Sequence, residues 1–73
     1  MDVEFTDYAL GRMRLRDILE EEVLAVLESP PSRHKVRKDG RYEVNRRINT
    51  KVLLVIYKRV DGLQTVINAM WEN

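Results

Sequence analysis

Turn signals divide the second half of the chain into short extended segments. Asp39-Gly40 and Asp61-Gly62 are dipeptides typical of two-residue β-hairpin turns, and Asn49-Thr50 is a weaker turn signal. These turns predict four strands, over residues 33–38, 41–48, 51–60 and 63–71. Because tight turns join strands that lie side by side and run in opposite directions, we expect a four-stranded antiparallel meander.

The third predicted strand is apolar on both of its faces. Its side chains alternate between two apolar sets, Val52, Leu54 and Ile56, and Leu53, Val55 and Tyr57. This pattern indicates a central strand that is covered on both sides. Two helices can cover one face, so long side chains, a second copy or a partner protein must close the other.

Helix signals precede the strands. Thr6 can cap a short helix from Asp7 to about Arg14, and a break follows. Asp17 and Glu20 have capping-box spacing at the start of a second helix, and Ser29-Pro30-Pro31 ends that helix. The sequence therefore predicts a helical hairpin over residues 1–32.

The chain is expected to form one α+β domain over residues 1–73. The helical hairpin would pack on an antiparallel sheet formed by residues 33–73, and Val3-Phe5 fits an additional edge strand. With 73 residues, the domain is near the lower limit for a core that is stable alone. A composition of 44% hydrophobic and 34% charged residues is typical of a globular protein.

Three features of the composition bear on the cellular location. There are no cysteines, so disulfides and thiolate zinc sites are excluded. Asp2, Glu4 and Asp7 oppose the positive start of a signal peptide. The longest apolar run, Val52 to Tyr57, is too short to span a bilayer. We therefore expect a soluble, cytoplasmic protein.

Charge is distributed unevenly along the chain. Residues 33–51 contain eight Lys or Arg against two acids, whereas the first 32 residues contain eight acids against three arginines. Residues 33–51 thus carry a net charge of +6 on a chain whose total is +1. A basic hairpin of this kind predicts an anion-binding surface, and single-stranded RNA is the first candidate ligand.

Tyr8, Arg12 and Arg16 are spaced at i, i+4 and i+8, so they form one stripe along the first helix. Tyr8 and Arg12 would lie at the rim of the core, where a guanidinium group can reach a sheet edge or a phosphate. The alternative is a stripe that is solvated or paired with Glu20, Glu21 and Glu22.

Arg46 interrupts the apolar face of the second predicted strand, where Tyr42, Val44 and Ile48 share its parity. An arginine that points into a small core needs a partner or a ligand. The alternative is a β-bulge near Asn45 that turns Arg46 outward.

His34 is the only histidine. As a general base it would suit neutral pH, and the alternative is a surface residue at a strand start. One histidine without cysteines or a matching set of carboxylates does not predict a metal site. The sequence also lacks phosphate-loop, dinucleotide and nucleophile-elbow motifs, so we expect neither a metal nor a cofactor.

The N-terminal third has a spaced pattern formed by Thr6, Ala9, Arg12, Met13, Arg16, Ile18 and Val23. This pattern resembles that of a family of small bacterial and archaeal proteins, domain of unknown function family 4258. The family's histidine position is Tyr8 here. Later segments fit as well, namely Pro30, Gly40-Arg41-Tyr42, the strand Leu53 to Tyr57 and the strand Thr65 to Trp71.

By architecture the family is similar to the BrnT and RelE group, which includes ribonuclease toxins of toxin–antitoxin pairs. The resemblance implies a metal-independent endoribonuclease, an mRNA interferase, with Tyr8, Arg12, Arg46 and Arg47 as catalytic residues. Arg16, His34, Lys38, Arg41 and Lys51 would bind RNA. Tyr8 or His34 would carry the proton, and tyrosine would need a cation such as Arg12 to lower its pKa from about 10.

The partners implied are RNA, an antitoxin protein and a second copy of the chain. The alternative function is a non-catalytic, dimeric module that binds RNA or an acidic protein segment with its basic sheet. A third interpretation is a dimeric domain whose charges only keep it in solution.

Overall fold

The computed structural model describes residues 2–72. Two helices cover one face of a five-stranded sheet whose strand order is β1-β5-β4-β3-β2. The elements in chain order are β1 (Asp2–Phe5), α1 (Asp7–Leu15), α2 (Glu20–Leu27), β2 (Lys35–Val36), β3 (Tyr42–Ile48), β4 (Lys51–Val60) and β5 (Leu63–Glu72). A short 3₁₀ turn, Pro31–Arg33, lies between α2 and β2.

The α+β class and the antiparallel run from β2 to β5 are confirmed, but the expected four-stranded antiparallel sheet is wrong. Val3-Phe5 does belong to a strand, and β1 pairs in parallel with β5, Val3 opposite Gln64 and Phe5 opposite Val66. The sheet is therefore five-stranded and mixed. A parallel partner that lies about 60 residues away leaves no local turn signal in the sequence.

The expected helical hairpin is also wrong in detail. α1 packs on β5, while α2 packs on β4 and β3, so each helix makes its main contacts with the sheet. Between them the chain turns at Asp17, whose φ is 58°. The N–H groups of Asp17 and Ile18 donate to the carbonyl oxygens of Arg14 and Met13, which is a Schellman motif at the end of α1.

The capping residues of the two helices differ in how well the sequence predicts them. Thr6 accepts a hydrogen bond from the N–H of Ala9 at 3.0 Å, so it caps α1 as expected. Asp17 does not cap α2. The N-cap is Leu19, whose N–H donates to the Glu22 carboxylate at 2.9 Å. Glu22 thus provides half of a capping box.

Turn geometry sets the strand lengths. Asp61 and Gly62 both have positive φ, 51° and 78°, as the hairpin between β4 and β5 requires. Residues 37–41 join β2 to β3. The Arg37 N–H donates to the Arg41 carbonyl, so the turn between these two residues has three residues instead of the expected two, with Gly40 in the left-handed region. The segment expected over 33–38 is reduced to Lys35–Val36.

The core lies between the helices and the sheet. Its fully or nearly fully buried members are Ala9, Met13, Ile18, Val23, Val26, Leu27, Val44, Leu53, Val55, Tyr57, Val66 and Ala69. A β-bulge in β5 at Ile67 shifts the register, because Ile56 pairs with Asn68 but Tyr57 pairs with Val66. No helix within residues 2–72 is long and apolar enough to cross a membrane.

Candidate nucleic-acid interface

The sheet face opposite the helices has apolar side chains at its centre, with the carboxylates of Glu43 and Glu72 beside them, and basic side chains toward its ends. Leu54 pairs with Met70 across β4 and β5, and both are half-buried. Ile56 lies outside the core cluster but is only 8% exposed, so its neighbours on this face shield it. We call this surface the helix-free face. Two cavities with cationic linings lie at its ends.

The first cavity, the Tyr8 cavity, has a volume of about 510 Å³. It forms where β1 ends and α1 begins, beside the bulge in β5. Its lining residues are Thr6, Tyr8, Arg41, Ile56, Lys58, Ile67 and Asn68. A phenol and two cations therefore surround a partly apolar floor, which is a suitable environment for a phosphate that carries a base.

Tyr8 and Arg12 form a hydrogen-bonded pair at the rim of this cavity. Arg12 Nε donates to the Tyr8 hydroxyl at 3.1 Å, and its guanidinium carbon lies 5.3 Å from the ring centroid. The hydrogen bond from Arg12 lowers the pKa of Tyr8 below its ordinary value of 10.0, and the charges of Arg12 and Arg16 act in the same direction. Arg12 therefore makes the Tyr8 hydroxyl more acidic than that of an ordinary tyrosine.

The second cavity, the Arg47 cavity, has a volume of about 800 Å³ and lies between β3 and the loop that follows α2. Its lining residues are Glu28, Ser29, Pro30, Ser32, Arg33, Asn45, Arg46, Arg47 and Val52. Three arginines face one glutamate, so this cavity has a positive charge.

Arg46 lies on the helix side of β3 and has a partner there, as its parity with Val44 indicates, but it is exposed and does not enter the core. The register of β3 with β4 is continuous through Asn45 and Arg46, so the expected bulge near Asn45 is absent from the described chain. Arg46 is exposed at the end of the sheet, and its Nη1 donates to the Ala25 carbonyl oxygen at 3.0 Å. It therefore stabilises the C-terminal turn of α2, whose carbonyls lack helical partners.

Arg16 attaches α1 to the exposed part of β5. Its Nη1 donates to the Ala69 carbonyl at 2.8 Å and to Asn68 Oδ1 at 3.0 Å. In return, Trp71 Nε1 donates to the Arg16 carbonyl at 2.8 Å. Arg16 Nη1 thus makes both of its hydrogen bonds within the protein, whereas Arg12 contacts Tyr8 and not the sheet.

His34 makes two internal contacts. Its Nε2 lies 2.9 Å from the Ser29 carbonyl oxygen, and its Nδ1 lies 2.6 Å from the Tyr57 hydroxyl. A carbonyl oxygen only accepts, so Nε2 carries a proton and donates. In the neutral ring, Nδ1 then accepts from Tyr57. Both ring nitrogens are engaged in fixing the loop after α2, which argues against their contact with RNA.

The remaining predicted binding residues are dispersed. Lys38 is exposed in the β2–β3 loop, and Arg41 lines the Tyr8 cavity. Lys51 lies on the helix side, with its Nζ 5.4 Å from the Trp71 ring centroid. Of these three residues, Arg41 alone lines one of the two cavities.

The structure separates the four predicted catalytic residues into two sites. Tyr8 and its partner Arg12 belong to one cavity, Arg46 and Arg47 line the other, and the two cavities share no lining residue. Sequence reasoning overlooked Lys58, which shares its parity with Leu54 and Ile56 and so faces the Tyr8 cavity. That alternation was the available signal.

No group of three or more His, Cys, Asp or Glu side chains within residues 2–72 is placed to hold a metal ion. Comparison with known proteins found no matching family model, no matching curated protein and no matching solved structure. The resemblance to domain of unknown function family 4258 therefore stays a prediction.

Proposed function

We propose that the protein binds single-stranded RNA across its helix-free face and cleaves it at the Tyr8 cavity, as a toxin-like endoribonuclease. The observation that supports this proposal best is the Tyr8–Arg12 hydrogen bond at the rim of a cavity that also contains Arg41 and Lys58. A phenol with a lowered pKa next to several cations suits proton transfer at a phosphodiester.

The reaction needs no group beyond the RNA and these side chains. The Tyr8 phenolate would remove the proton of a ribose 2′-hydroxyl, whose oxygen forms a bond to the adjacent phosphorus. The bond from phosphorus to the 5′-oxygen breaks, and the Lys58 ammonium gives that oxygen a proton. Arg12 and Arg41 would stabilise the charge on the phosphoryl oxygens. Exchange with water restores both side chains, and the products end in a 2′,3′-cyclic phosphate and a 5′-hydroxyl.

The second cavity extends the binding surface. Arg41 and Arg47 lie six positions apart on one face of the β3 segment, which corresponds to about 20 Å along a strand. An RNA that contacts both residues would pass the carboxylate of Glu43 and lie beside the apolar side chains of Leu54, Ile56 and Met70, against which bases can pack. Binding of this kind weakens steeply as salt increases.

A labelled single-stranded RNA tests both halves of the proposal. The Arg41→Ala/Lys58→Ala double variant should lose binding and cleavage, and Tyr8→Phe should bind but not cleave. Arg14→Ala is the matched control, because exposed Arg14 lines a different cavity, with Leu19 and Glu20. Equal binding by the double variant and the control would refute the assignment of the site.

A non-catalytic binding module is the second candidate function. The apolar centre of the helix-free face favours it, because such a surface also suits a second copy or an antitoxin-like protein. This alternative predicts salt-sensitive RNA binding with the RNA recovered intact. Analysis of the RNA ends after incubation separates the two functions.

A further inference from the structure

The two edges of the sheet are protected to different degrees. On one edge, β1 pairs with β5 over Leu63–Val66, and Arg16 then bonds the Ala69 carbonyl. On the other edge, β2 pairs with Tyr42 and Glu43, and no further strand within residues 2–72 pairs with the outer side of β3. The segment from Asn45 to Ile48 therefore forms an exposed strand edge.

The backbone groups of Asn45 and Arg47 point toward that open edge. Ile48 and Lys51 flank a two-residue turn, so they form a hydrogen-bonded pair, and hydrogen-bonded residues alternate along an antiparallel ladder. Asn45 and Arg47 consequently direct their N–H and C=O groups away from β4. The Asn45 carbonyl confirms this direction, since it accepts from Arg33 Nη2 at 3.3 Å.

The side chains around this edge are mostly basic, and one of them has a buried polar atom without a hydrogen-bond partner within residues 2–72. Arg33, Arg46 and Arg47 line the cavity beside it, with Glu28 as the single acidic lining residue. Ser29 lines the same cavity, and its Oγ is buried without a hydrogen-bond partner among residues 2–72. Two copies of this edge would bring arginines together, so charge repulsion disfavours pairing of the protein with itself.

We propose that the open edge of β3 receives an acidic, extended segment of another protein as a sixth strand. Backbone bonds to Asn45 and Arg47 would provide affinity, and carboxylates facing Arg33 and Arg47, which lie on the same face of the sheet, would provide specificity. Arg33 would release the Asn45 carbonyl and pair with the incoming segment. This interaction uses the strand edge and does not depend on RNA cleavage at the Tyr8 cavity.

The probe is a nine-residue peptide that alternates glutamate with valine and has blocked ends. Arg47→Ala removes the side-chain charge and keeps the outward N–H, whereas Arg47→Pro removes both. Because that N–H points away from β4, proline at this edge position breaks no bond of the β3–β4 ladder. Circular dichroism and the melting temperature check that both variants fold. A peptide with a central proline is the ligand control.

We expect the peptide to bind, to protect the Asn45 and Arg47 amides from hydrogen exchange, and to lose about tenfold more affinity with Arg47→Pro than with Arg47→Ala. Equal loss in both folded variants would overturn strand addition in favour of simple charge attraction. Strand addition would also be overturned if the peptide did not bind. The same holds if RNA, or a dimer that forms with increasing protein concentration, protected these two amides and the peptide did not. If Arg47→Pro does not fold, amide protection in the unaltered protein decides the question alone.

Discussion

The guanidinium of Arg46 donates a hydrogen bond to the carbonyl oxygen of Ala25 in the last turn of α2. This contact links β3 to the helix that covers it. It also gives a structural role to a residue that the family resemblance predicted to be catalytic. Arg47, the next residue, points to the opposite face of the sheet.

The two neighbouring arginines should therefore respond differently to alanine. Arg46→Ala should lower the free energy of unfolding by about 0.5–1.5 kcal/mol, because one hydrogen bond to a helix end is lost. Arg47→Ala, an exposed substitution, should change it by less than about 0.5 kcal/mol. Urea unfolding measures both values, and an equal loss would show that the contact with Ala25 contributes nothing.

Tyr8 and Tyr57 should ionise in a defined order as the pH rises. Tyr8 should ionise below its ordinary pKa of 10.0 because Arg12 donates to its hydroxyl, and Tyr57 should ionise above 10.0 chiefly because it is buried. Absorbance of the phenolate between pH 8 and 12 follows both groups. Arg12→Leu should return the pKa of Tyr8 toward 10 without moving that of Tyr57. If the pKa of Tyr8 were the same in Arg12→Leu as in the unaltered protein, the proposed pairing of Tyr8 with Arg12 would be contradicted.

Alkaline pH should destabilise the fold through Tyr57. The folded protein holds this proton more tightly than the unfolded chain does, since burial raises the pKa. The resulting stability is fully present below pH 10 and is lost as the pH rises through the folded-state pKa. Tyr57→Phe should remove this pH dependence, at the cost of the contact with His34 Nδ1. Urea unfolding midpoints of the unaltered protein and of Tyr57→Phe, each measured at pH 8 and pH 11, test whether Tyr57 causes the loss of stability.

Gly11 and Gly62 should respond in opposite directions to alanine. Gly11 is an exposed residue of α1, and a Cβ there would meet nothing within 4 Å. Gly11→Ala should stabilise the protein by about 0.5–1 kcal/mol. Gly62 has φ +78° in the β4–β5 turn, so Gly62→Ala should destabilise it by about 1–2 kcal/mol. Thermal unfolding of both variants measures the contrast, and two changes of the same sign would contradict the assigned backbone geometry.

Local signals predicted most of the sheet. The turns at Asn49-Thr50 and Asp61-Gly62 placed β3, β4 and β5 within one residue of their observed ends. Local signals did not reveal the parallel partner of β1, because that pairing is formed by segments far apart in the chain. They also overestimated the first meander strand, since the Pro31–Arg33 turn and the contacts of His34 keep residues 33 and 34 out of the ladder.

The candidate site was predicted only in part for a similar reason. The helical spacing of Tyr8 and Arg12 foretold their contact, which is a local relationship. Whether Arg46 meets a ligand, the core or a helix end depends on where α2 lies above β3. The alternation of side chains along a strand contains no information about the position of that helix. Lys58 lies outside the basic run of residues 33–51, and only its parity with Leu54 and Ile56 indicates that it shares their face of the sheet.

The most direct test of the central claim is induced expression of the intact chain in a bacterial host, with growth and full-length mRNA followed together. This format includes ribosomes, which purified RNA lacks. The proposed ribonuclease predicts growth arrest with loss of mRNA for the unaltered protein and for Arg14→Ala. Cells that express folded Tyr8→Phe or folded Arg41→Ala/Lys58→Ala should grow normally. Normal growth and intact mRNA with the unaltered protein, or undiminished mRNA loss with folded Tyr8→Phe, would contradict cleavage at the Tyr8 cavity.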